Sequence, residues 1–269
     1  MHSRRARVVN LTVLVVALSV PISLLDGPAY WAGVASLMLA TAVAAGAQTS
    51  ERPVHGLPLA TRILPMLAAF AAAGLAHLAG ADATWLLALA LGAAPTATTL
   101  LAELRLAGPA DDRRPHLERQ MLTLVIVLVF AAFTAAAGAI EGGLGTTPNE
   151  AGDAVLTISA AGLMALALIE AAIAGAVGYR LAALRTTALG EALRVAGTYA
   201  VVTGVTAALL RAIDLPRLFG PAVLAGVFYL WSAYREASAA QRRTATWLWE
   251  YGLLVGALLL VVGWNLLLR

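Results

Sequence analysis

Apolar residues in this chain fall into long runs, separated by short polar or turn-forming clusters. Nine runs stand out, at about 8–25, 29–48, 58–78, 83–103, 121–140, 154–179, 192–213, 218–234 and 246–266. A helix needs about 20 predominantly apolar residues to cross the hydrocarbon core of a bilayer, and the runs are close to that length. Turn chemistry marks the breaks: Asp26-Gly27-Pro28, Ser50-Glu51-Arg52-Pro53, Gly80-Ala81-Asp82 and Asp214-Leu215-Pro216. The predicted fold is all-α, a polytopic transmembrane helical bundle of about nine spans. Residues 1–269 form a single integral membrane domain. The longest linkers, 104–119 and 141–153, are too short to hold a soluble domain. Energy for any work is therefore expected from an ion gradient, the substrate's own gradient or a partner chain.

Composition supports this reading. Apolar residues make up 61% of the chain and charged residues 12%, against about 25% charged in soluble domains. So few charges cannot solvate the surface of a water-soluble protein of this size. There is no Cys, which excludes disulfides, thiolate nucleophiles, iron–sulfur clusters and Cys-based zinc sites. Every basic residue other than His is Arg. A lysine Schiff base or a Walker-type phosphate lysine is thus excluded as well.

The Arg residues set the expected orientation. With the N-terminus in the cytoplasm, fifteen Arg lie inside and three (Arg211, Arg217 and Arg269) outside, as the positive-inside rule requires. Nine spans then put the C-terminus outside. The net charge of +3 reflects topology, and no nucleic-acid partner is expected. Met1–Arg7 followed by an apolar stretch resembles a secretory leader. No clear small-x-small cleavage site follows before Asp26, and it is expected to remain as an uncleaved first helix. Arg7 to Asp26, Arg62 to Asp82 and Arg194 to Asp214 are spaced 19, 20 and 20 residues apart. One helix length between inside Arg and outside Asp accounts for that spacing without an internal repeat.

Candidate chemistry lies where polar residues interrupt the runs. Glu170 sits inside the sixth run, ten residues before Arg180, or about 15 Å at about 1.5 Å per residue. That is near the bilayer midplane, where a carboxylate is costly and should face the bundle interior. Its roles are a proton carrier, a coupling site or a catalytic acid, or else a hydrogen bond holding a neighbouring helix. In the fourth run Thr96, Thr99 and Glu103 fall at i, i+3 and i+7 after Pro95, on one helix face. They form either the wall of a substrate path or a Pro kink with Thr back-bonding and an interfacial Glu103 near Arg105. Tyr199, Thr203 and Thr206 share a face of the seventh run. With Glu170 they could line one polar cavity, or they serve as interhelical hydrogen-bonding groups.

Other features concern packing. Ala171/Gly175 and Ala174/Gly178 are small-xxx-small pairs, and Gly33 and Ala42 to Gly46 add further small residues in the second run. Trp247, Trp249 and Tyr251 open the ninth run as an aromatic belt, with Glu250 favouring the helix N-terminus. His2, His55, His77 and His116 are dispersed, so no metal or haem site is expected within one span, and no cofactor; His77 reads as an interfacial residue. Neither a Gly-x-Ser-x-Gly elbow nor a His-Glu-x-x-His pair occurs. Asp26 beside Gly27-Pro28 reads as a turn residue. The expected function is a small-solute transporter with a central polar cavity, in a bacterial cytoplasmic membrane. The alternatives are a non-catalytic subunit packing against partner membrane chains and, with less support, a membrane enzyme acting on a lipid-soluble substrate. No catalytic residues are assigned.

Overall fold

The computed structural model describes residues 2–49, 57, 59–80, 86, 92–106, 114–140, 146–148, 154–156, 158–212, 219–238 and 240–267. Among them the helices are α1 (His2–Ser23), α2 (Gly27–Thr49), α3 (Ala60–Ala79), α4 (Ala93–Leu106), α5 (Arg114–Gly138), α6 (Ala160–Ala182), α7 (Leu189–Ala212), α8 (Phe219–Glu236) and α9 (Ala245–Leu267). A hairpin of two short antiparallel strands, β1 (Thr146–Pro148) and β2 (Ala154–Leu156), lies between α5 and α6. Among the described residues six helical stretches are long and apolar enough to cross a membrane: Gly27–Ala47, Ala60–Ala79, Gln120–Gly138, Ala160–Ala182, Leu189–Leu210 and Ala245–Trp264. A shorter apolar stretch, Val8–Ser23, lies in α1.

The helix order follows the apolar runs, with two informative shifts. The sixth run starts at 154 by hydrophobicity, but Ala154–Leu156 pairs with β1 and α6 begins at Ala160. The boundary is set by Ser159, whose hydroxyl accepts the Gly162 N–H at 3.0 Å, a side-chain cap for an otherwise unpaired donor. α5 begins at Arg114, inside the expected linker 104–119. Pro115 in its first turn is compatible with this, because the N–H that Pro lacks has no intrahelical acceptor there. The expected first half of the fourth run lies largely outside the described residues.

Two turns need glycine: Gly27 and Gly80 have φ of +56° and +76°, a region that side chains with a Cβ avoid. His77, just before the second, is half-buried. Its Nδ1 lies 2.7 Å from the Ser23 carbonyl, and its ring centroid lies 4.4 Å from that of Tyr30. It therefore ties the end of α3 to α1 and α2.

α3 is the central helix, packing against α1, α2, α4, α5 and α6. Its run of Ala68, Ala69, Ala71, Ala72 and Ala73 is wholly buried. Small side chains let neighbouring helices approach closely where lipid offers no hydrophobic drive to associate. α5 is nearly as central, touching α3, α4, α6 and α8. α6 and α7 share the most extensive contact. A Cβ on Gly175 would lie 3.2 Å from that of Ala200, and one on Gly204 would lie 3.0 Å from that of Ala171. α9 is peripheral. It packs chiefly on α8 and on the Gln241–Arg243 turn, leaving Leu248, Trp249, Leu253, Leu259, Leu260 and Trp264 exposed.

Candidate functional site

The fourth helix presents Thr96, Thr99 and Glu103 to the interior, and all three are buried. Pro95 stands in the first turn of the described helix, where its missing N–H costs little. The Thr99 hydroxyl donates to the Thr96 carbonyl at 2.9 Å, the expected back-bonding. The Thr96 hydroxyl itself has no hydrogen-bond partner among the described residues.

Glu103 does not sit at an interface beside Arg105. It faces inward and meets Arg180 of α6 in a two-pronged ion pair. Arg180 Nε donates to Oε1 at 2.7 Å, and Nη2 donates to Oε2 at 2.6 Å. The two side chains are 2% and 1% exposed. The planar guanidinium matches the carboxylate with two parallel bonds, the strongest form of such a pair. Both partner helices pack against α3, and its small side chains are compatible with two long charged ones meeting beside it.

Arg180 is the interior residue that sequence reasoning missed. Its position at the inner end of a span has a sufficient topological explanation, yet it belongs to the buried stripe Glu170, Ile173, Val177 and Arg180. That spacing, i, i+3, i+7 and i+10, was the available signal.

Glu170 lies on the same helix and is fully buried, with no measurable exposure. Its expected inward orientation holds. Tyr199 on α7 is buried and donates to Ser232 of α8 at 3.1 Å; Ser232 in turn donates to the Phe228 carbonyl at 2.9 Å. The Tyr199 ring also stands 5.0 Å from that of Phe228. Thr203 is buried, whereas Thr206 is half-buried and donates back to the Val202 carbonyl at 2.8 Å. Ser232 is a second interior polar residue that was not anticipated, because its partner lies 33 residues away.

Of the expected residues all but the half-buried Thr206 turn fully inward, and two of them bond across helices. Glu103 is held by α6 and Tyr199 by α8. Thr96, Thr99, Glu103, Glu170 and Thr203 are at most 1% exposed. Their side chains are therefore closed off from the surface. Tyr199 lines a small cavity of about 100 Å³ at the ends of α6, α7 and α8, with Arg185, Glu191, Arg235 and Glu236. Above it Arg185 pairs with Glu236 at 3.1 Å. Thr186 donates to Glu191 at 2.7 Å and accepts from the Ala188 N–H, shaping the entry to α7.

The aromatic residues at the start of α9 divide. The Trp247 and Tyr251 rings meet at a tilt, 4.5 Å apart, and Tyr251 stacks on Tyr229 of α8 at 6.2 Å, whereas Trp249 points outward. Among the described residues no group of three or more His, Asp or Glu is arranged to hold a metal ion. Neither a known family model, nor a curated protein, nor a solved structure matches the chain.

Proposed function

We propose that the chain is a nine-span membrane protein, N-terminus inside and C-terminus outside, that transports a small solute through its helical interior. The supporting observation is the charge buried among apolar helices: the Glu103–Arg180 pair and, farther along α6, the fully buried Glu170. Ionisable groups inside a membrane are costly and tend to mark ion or substrate pathways. Such a pair is often no more stabilising than apolar residues of the same volume, so stability alone does not account for it. In this reading the closed interior is an occluded state. Glu170 is the coupling carboxyl, and the Thr96–Thr99–Glu103 and Tyr199–Thr203–Thr206 faces become wet when the helices part.

The chain contains no Cys, so a single introduced thiol is the sole labelling site. Thr99→Cys and Thr203→Cys, probed in membranes with a charged methanethiosulfonate, are expected to react. Ala135→Cys, buried in the α3–α5 contact, is expected to stay inert. If all three are equally unreactive, no water-filled path opens and the transporter reading falls.

A second reading, a non-catalytic subunit, has one observation in its favour. α9 is apolar, and its described side chains are exposed or half-buried, as a helix awaiting a partner chain would be. Stoichiometric recovery of a second membrane chain in mild detergent would favour it.

A further inference from the structure

α4 and α5 enclose a lateral cavity of about 640 Å³, within the size range of about 300–1,000 Å³ typical of ligand sites. Its floor is apolar: Leu106 and Met121 are buried, and Ala102 and Leu124 are half-buried. Its mouth is polar. Arg105 and Gln120 stand at the same end, where α4 finishes, and both are exposed. Arg105 has no ion-pair or hydrogen-bond partner among the described residues. The cavity therefore has an apolar trough along two helices and, at one end, an amide and a guanidinium with no partner among the described residues.

We propose that this groove binds an anionic phospholipid of the bilayer, with an acyl chain along Ala102, Met121 and Leu124 and the phosphate at Arg105 and Gln120. The occupant follows from charge and polarity. A neutral solute would leave the guanidinium without a counterion. A soluble anion would leave the apolar floor uncovered. A basic residue at the end of a span sits at headgroup depth. The inference requires only that these helices lie in a bilayer, and it stands whether or not the chain transports anything.

The test compares phosphatidylglycerol with phosphatidylcholine of identical chains, added to the full-length protein in detergent and read by native mass spectrometry. One basic residue near the membrane surface is worth about a fivefold preference for the anionic headgroup. Wild type should show about that preference. Arg105→Gln should lose it, and Arg194→Gln, an exposed Arg on α7, should keep it. Ala102→Leu fills the trough and should weaken binding of both lipids while Arg105 remains. This second variant carries the test if Arg105→Gln fails to fold. An unchanged preference in Arg105→Gln, an equal loss in Arg194→Gln, or undiminished binding in Ala102→Leu overturns the proposal.

Discussion

Glu103 and Arg180 are each tolerable only because the other is present. Removing one partner of a buried pair leaves an uncompensated charge and costs about 3–5 kcal/mol. Replacing both with apolar residues of similar volume is often neutral. Glu103→Leu and Arg180→Met are thus each expected to lower thermal stability in detergent sharply. The double variant should recover most of the loss, and a double-variant cycle measures the coupling. If the singles are as stable as wild type, the pair is not closed in the membrane-embedded protein. The inward face of Thr96, Thr99 and Glu103 was legible because a helical repeat is written in consecutive turns. The partner of Glu103 was not, since Arg180 lies 77 residues away and no local period points across that distance. A basic residue at a helix end also has a sufficient topological explanation, which concealed its inward placement.

At the scale of helices, the small residues of α6 and α7 mark a seam whose tightness varies by position. A Cβ on Gly178 would lie 2.6 Å from Tyr199 Cδ2, whereas one on Gly197 of α7 meets nothing within 4 Å. Gly178→Ala must displace a buried ring that also bonds to Ser232, and overpacking of this kind costs about 1–3 kcal/mol. Gly197→Ala should be neutral or slightly stabilising. Thermal melts of the two variants side by side check this; equal melting temperatures would mean that the α6–α7 contact is looser than described. The Ala171/Gly175 and Ala174/Gly178 spacing announced a close contact without naming the helix that fills it. Element ends were less legible than element existence. Hydrophobicity runs on through Ala154–Leu156, but that segment pairs with β1 and the Ser159 cap opens the helix at Ala160.

For the molecule as a whole, the order of apolar runs was legible, because a bilayer-length run of apolar residues leaves its backbone few alternatives to a helix. What holds those helices in their arrangement was not, since the spacing of small and polar residues marks a buried face without naming the helix that meets it. The proposed orientation is checked with reporters: one fused after residue 269 is expected outside, and one inserted within 106–118 inside. A fusion after 269 that reports inside would mean an even number of spans. The peripheral position of α9 has a further consequence, for the order in which the protein gains and loses structure. Cooperative units open with free energies set by the contacts that hold them, and α9 is held chiefly by α8 and one short turn. Its amides should exchange with solvent deuterium well before those of α3 and α5 wherever water reaches them. During synthesis it emerges after α4 and α6, which carry the two partners of the buried ion pair. The charged interior can therefore close before α9 docks, and α9 can detach and return without reopening it.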